Sequence, residues 1–96
     1  MNRIDVGDMV RIHITFRDLD GQPQDPSSVS LTLYRPSGTA VHVPSSQILH
    51  PEPGSGYYYV DFQVDEPGWW RAVWSSQGSP TVVEQIHFYV FPVPIL

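Results

Sequence analysis

The sequence predicts an all-β sandwich, and three observations carry that prediction. Apolar and polar residues alternate in several short runs, the two-residue period of a strand with one face buried. No run holds the 3.6-residue period of a helix. Ten prolines and seven glycines cut the 96-residue chain between those runs and leave pieces of strand length.

The first run, "MVRIHITFR", sets Val10, Ile12, Ile14 and Phe16 on one face and Met9, Arg11, His13, Thr15 and Arg17 on the other. "DLDGQPQDP" (18–26) is turn chemistry: Asp20-Gly21 suits a positive φ, and its two prolines cannot donate to a ladder. "SVSLTLYRP" resumes the alternation with Val29, Leu31 and Leu33 inward and Ser30, Thr32 and Tyr34 outward. "PSG" (36–38) turns into a shorter strand through Val41 and Val43, and a loop of Pro, Ser and Gly follows to Gly56, anchored by Ile48 and Leu49. "YYYVDFQV" points Tyr58, Val60, Phe62 and Val64 inward and Tyr57, Tyr59, Asp61 and Gln63 outward. "DEPG" reverses the chain. In "WWRAVW", Arg71 belongs in water, which assigns Trp70, Ala72 and Trp74 to the core and Trp69 and Val73 to the outside. In "TVVEQIHFYVF" the better inward set is Ile86, Phe88 and Val90, leaving Val83, Gln85, His87, Tyr89 and Phe91 outside.

About seven short strands separated by turn signals read as an immunoglobulin-like antiparallel β-sandwich. Residues 1–90 form the sandwich and residues 91–96 an extended apolar C-terminal arm. The strands at 28–35, 69–76 and 81–91 are expected in one sheet, and those at 9–17 and 57–64 in the other. Trp70 and Trp74 are the candidates for burial between the sheets, and their indole N–H groups need acceptors.

Composition narrows the function. A hydrophobic content of 41% and three tryptophans argue for a folded core, and a chain of this size buries roughly 65% of its surface on folding. Without cysteine there is no thiol nucleophile, disulfide or Cys-based zinc site. Net charge is −5, and the basic residues are Arg3, Arg11, Arg17, Arg35 and Arg71, scattered rather than clustered. Neutralising phosphates takes clustered Lys and Arg, so neither nucleic acid nor an anionic membrane surface is an expected partner. No apolar window reaches the length of a membrane span, and "MNRIDVGD" lacks the apolar run of a secretion signal.

No enzyme site, cofactor or metal is expected. The serines fall almost entirely in turns, and no strand-to-helix elbow exists to present a nucleophile. His13 and His87 belong on outward faces of different sheets, and His50 in "LHPEP" is expected to be solvated beside Glu52. "DLDG" opens like a calcium loop but lacks the downstream acidic ligand, which favours a hairpin turn with Asx bonds. Asp65 and Glu66 are adjacent and should point apart, so they form no acid/base dyad. Outward Tyr34, Tyr57, Tyr59 and Trp69 admit a carbohydrate-binding alternative, although they are divided between two sheets.

The outer face of the sheet that carries the last strand is a different matter. Tyr34, Trp69, Val73, Val83, Tyr89 and Phe91 should all project from it, broken only by Arg71, Gln85 and His87. Monomers rarely leave that much apolar surface uncovered. "FPVPIL" extends the same strand with Phe91, Val93, Ile95 and Leu96, and Pro92 and Pro94 favour an extended backbone. Burying each of those side chains contributes about 1.5–3 kcal/mol, against about 1–2 kcal/mol per residue ordered. The terms nearly cancel, so a single arm binds weakly and many copies bind well. The alternative is that the arm folds back on its own sandwich edge. The partner-binding set is therefore Tyr34, Trp69, Val83, Tyr89, Phe91, Val93, Ile95 and Leu96.

Two stretches, "GDMVRIHITFRDLDGQPQDPSSVSLTLYRPSG" and "GYYYVDFQVDEPGWWRAVWSSQG", resemble the small immunoglobulin-like structural proteins of tailed bacteriophages and prophages. The resemblance covers residues 7–78 and rests mainly on turn and core residues. It implies a virion component without catalytic activity, present as a homo-oligomer or in many copies on a lattice, whose partners are other virion proteins. Capsid decoration, on the major capsid protein, is the first expectation. A neck or tail position in the head-tail connection is the second, and a carbohydrate-binding or adhesin module the third.

Overall fold

The computed structural model describes residues 3–92. Its strands are β1 (Ile4–Asp5), β2 (Met9–Thr15), β3 (Ser28–Tyr34), β4 (Ala40–Val43), β5 (Tyr57–Gln63), β6 (Gly68–Gln77) and β7 (Val83–Phe91). Five form one sheet in the order β1-β7-β6-β3-β4, and β2 pairs with β5 in the other. The chain is thus an all-β sandwich of seven strands with the immunoglobulin-like division predicted, β3, β6 and β7 opposite β2 and β5.

The core is the set of inward positions that the alternation marks. Ile12, Ile14 and Phe16 from one sheet meet Leu31, Leu33, Trp70, Ala72, Trp74 and Val90 from the other, closed by Val43, Val60 and Val64. Both tryptophans are completely buried. Trp70 stacks near Phe88 and lies edge-on to Phe62, and its Nε1–H donates to the Glu66 carbonyl at 3.0 Å. The Trp74 Nε1–H finds no acceptor among the described residues.

Three features differ from the sequence reading. First, β1 was not anticipated, and it pairs parallel with β7 (Ile4↔Val90, Asp5↔Phe91), which makes the large sheet mixed rather than antiparallel. Two residues are too few to show a period, yet Ile4 and Val6 still pack against the core. Second, β7 starts at Val83 rather than 81, although it ends at Phe91 as the expected strand does, on the residue also assigned to the start of the arm. Val93, Ile95 and Leu96 lie outside the described residues. Third, Asp65 and Glu66 do not point apart: both converge on Arg35. Arg35 donates to the two Asp65 carboxylate oxygens at 2.9 Å each and lies 3.8 Å from Glu66 Oε2. The same Glu66 accepts from the Ser37 amide and hydroxyl, which fastens the β3–β4 turn to the β5–β6 turn.

The "DLDG" turn is built as its residues suggest. Asp18 Oδ1 accepts from the amides of Asp20 and Gln22, both at 2.9 Å. Gly56 is hemmed in by main chain. Its φ is +68°, its carbonyl accepts from the Phe16 amide at 2.8 Å, and a Cβ there would lie 2.3 Å from the Phe16 carbonyl oxygen. Left-handed backbone and a collision with main chain act together. Gly56→Ala should therefore cost about 3 kcal/mol or more in a urea melt. A loss below about 1 kcal/mol would show that the loop yields freely.

Candidate interaction surface

The outward residues of β3, β6 and β7 form rows because the register aligns them. Tyr34, Arg71 and His87 make one row, Thr32, Val73 and Gln85 the next, and Ser30, Ser75 and Val83 a third. Trp69 pairs directly with Tyr89. Among the described residues, the large exposed apolar side chains on this face are Trp69 at 63%, Val83 at 70% and Tyr89 at 37% of full exposure.

The face is less uniform than the sequence implies. At one end an aromatic ladder runs along the sheet. Trp69 meets Tyr89 edge-on at 5.2 Å between centroids, and Tyr89 meets Phe91 edge-on at 4.8 Å. The Arg3 guanidinium caps that ladder 4.2 Å above the Phe91 ring. Arg71 likewise lies 4.1 Å over the Tyr34 ring. Phe91 and Tyr34 are half-buried as a result, and the exposed aromatic surface concentrates on Trp69 and Tyr89. Val83 lies six positions from Tyr89, about 20 Å along the strand. Arg71, Gln85 and His87 separate the two ends.

A shallow groove of about 450 Å³ opens beside Trp69, lined by Tyr34, Pro36, Gly38, Trp69, Arg71 and His87, with Arg35 and Trp70 beneath. Its geometry follows from the turns. Gly68, at φ +117°, brings the start of β6 against Pro36, where a Cβ would come within 2.9 Å of the Pro36 ring. That contact raises the β3–β4 turn into one wall, and Trp69 forms the other.

The outer face of β2 and β5 contrasts with this. His13, Tyr57 and Tyr59 line up with centroids 5.8 Å apart at each step. Arg11 lies 4.0 Å over the Tyr59 ring and donates to both Asp61 carboxylate oxygens, at 2.8 and 2.9 Å. Both tyrosines are half-buried among these neighbours, whereas Trp69 is exposed. Tyr57 and Tyr59 on this sheet and Tyr34 and Trp69 on the other do not form one platform, as the alternation indicated.

A second constellation escaped the sequence reading. His50 does not sit beside Glu52 in solvent. Its ring stacks on Tyr58 with centroids 4.1 Å apart, its Nδ1 lies 2.7 Å from the Tyr57 carbonyl oxygen, and its Nε2 lies 3.0 Å from Asp25 Oδ2. Both facing groups are acceptors. The imidazole satisfies them together only as the doubly protonated cation, with each N–H donating. Accepting contacts from the Tyr57 carbonyl and from Asp25 hold the His50 pKa above its ordinary value. Asp25 also accepts from the amides of Gly54 at 2.7 Å and Gly56 at 2.8 Å, and these, ahead of His50, hold its carboxyl below the usual carboxylate range. The cluster latches the loop after β2 to the loop before β5. Its sequence signal was faint: an acid in "QDP" and a glycine-rich "PGSG" whose amides face it across the fold.

Comparison with protein-family models and with curated proteins finds no match. Among solved structures, the chain is similar to a "putative glycoside hydrolase" from Bacteroides vulgatus, with 18% identity and a TM-score of 0.56. The likeness covers 98% of this chain and 17% of that one. At that identity it speaks to the sandwich fold alone.

Proposed function

We propose that this chain is a non-enzymatic structural protein of a phage virion, acting as a capsid decoration or cement protein that grips the shell through the outer face of its five-stranded sheet. The observation that carries the reading is the exposed Trp69–Tyr89 pair at one end of that face, with exposed Val83 at the other end. The other large exposed apolar residues among those described, Met9, Leu19 and Leu49, stand singly on separate segments. Scattered apolar residues are ordinary on a protein surface, whereas aromatic rings grouped on one sheet face mark a contact surface. The resemblance to phage immunoglobulin-like proteins supplies the setting, and the capsid or a neighbouring virion protein the partner.

The test is quantitative mass spectrometry of purified particles. The chain is expected in many copies per particle, in a fixed ratio to the major capsid protein. A small number following the ring symmetry of the portal would instead place it in the neck or tail, and absence from the particle would overturn the reading. Trp69→Asp and Val83→Asp are both expected to reduce occupancy at least tenfold. Circular dichroism should show both variants folded, because neither side chain is in the core.

A further inference from the structure

The groove beside Trp69 has an occupant suggested by the chain's own composition. Its walls are an exposed indole and a proline-bearing turn, and its floor is a tyrosine ring under a guanidinium. Arg71 donates to Gln85 Oε1 only at 3.5 Å, and no carboxylate pairs with it among the described residues. Aromatic-lined grooves of this kind hold extended, proline-containing segments. Such segments make no internal hydrogen bonds, present flat pyrrolidine rings to aromatic faces, and leave carbonyls for a side-chain donor. A volume of about 450 Å³ falls within the usual range of ligand pockets, roughly 300–1,000 Å³.

We propose that the groove receives residues 92–96 of a second copy of this chain, with the pyrrolidine rings against Trp69 and the peptide carbonyls on Arg71. This rests on the reading that the outer face is the contact surface, and it names one partner for that face. The geometry favours a second copy over the chain's own segment. Phe91 is tied down, its carbonyl accepting from the Val6 amide at 3.0 Å and its backbone paired with Asp5. The groove reaches back to His87, four positions earlier on β7 and about 13 Å away along the strand. Proline at 92 and 94 biases residues 91 and 93 toward extended backbone. Entering its own groove would require the chain to reverse straight after Phe91, against that bias, whereas a second copy's segment needs no reversal. The contact is head-to-tail, arm into groove, so repeated copies either close into a ring or propagate along a lattice.

Sedimentation of the full chain tests this by complementation. Trp69→Ala disables the groove and leaves the arm, whereas Ile95→Asp disables the arm and leaves the groove. The wild-type chain is expected to self-associate with rising concentration, and each variant alone to associate at least tenfold more weakly. Mixing the two variants should restore a dimer that goes no further, because only one arm and one groove remain competent. A mixture that stays monomeric, or a Trp69→Ala chain that associates like the wild type, would overturn the proposal. Either result is separate from particle occupancy, which is read on the virion and tests the docking face as a whole.

Discussion

Replacing Trp70 by alanine is expected to lower the unfolding free energy by about 3–5 kcal/mol, measured by urea denaturation. The side chain is completely buried between the sheets, against Phe62 and Phe88, and it also anchors the β5–β6 turn through Glu66. A small domain has about 5–15 kcal/mol to lose, so the variant should be marginal. Phenylalanine separates packing from hydrogen bonding. Trp70→Phe keeps an aromatic ring but leaves the Glu66 carbonyl without its donor, a loss of about 1–3 kcal/mol beyond the smaller ring. At Trp74 the same substitution removes a buried N–H that has no acceptor among the described residues. Trp74→Phe should therefore be milder than Trp70→Phe by about 1–2 kcal/mol. Equal losses at the two sites would contradict this account of the core.

Asp25→Ala is expected to destabilise the fold as well, because one carboxylate in the loop after β2 serves three donors from the loop before β5. Its removal orphans the Gly54 and Gly56 amides and takes the counter-charge from His50. The expected fall in Tm is roughly 5–10 °C. The latch also carries a pH dependence whose sign is fixed by the two directions of shift. His50 is held above its ordinary 6.5, so its contribution is complete below that value and is lost as pH rises through the folded pKa. Asp25 is held below its ordinary 3.8, so its contribution is complete above that value and is lost as pH falls through the folded pKa. The latch is strongest in the weakly acidic window between those ordinary values. Wild-type stability should accordingly decline from pH 6.5 toward neutrality and above, and His50→Gln should flatten that decline. NMR titration of His50 in the Asp25→Ala variant should show its pKa moving down. A pKa that stays where it was would mean that Asp25 does not hold the ring.

The parts of the fold that were legible in the sequence are those with a period. Alternation in "MVRIHITFR", "YYYVDFQV" and "WWRAVW" placed Ile12, Val60, Trp70 and Trp74 in the core, because a one-residue slip would have buried Arg11, Asp61 or Arg71. The same rule put Trp69 and Tyr89 outside on one sheet. What escaped was non-periodic or distant. Strand β1 is two residues long and is defined by its partner, not by its own pattern. Asp25 and His50 stand 25 positions apart in loops, and nothing local announces that Gly54 and Gly56 will aim their amides at the same carboxylate. Asp65 and Glu66 would diverge on a regular strand, but they sit in a turn, where the backbone rotation brings both to Arg35. The arginine caps on Phe91 and Tyr34 were missed for a related reason. Arg3 lies outside the periodic strands, and Arg71 was assigned to water when its stem and guanidinium cover a ring.

One claim underlies the functional reading: the chain works by what the Trp69 side of its five-stranded sheet touches. Hydroxyl-radical footprinting of the protein free and on purified particles reads that claim residue by residue. Trp69, Tyr89 and Val83 should lose most of their reactivity on the particle while Tyr57, Tyr59 and His13 keep theirs. Trp69 reacting as fast on the particle as in free solution would contradict it.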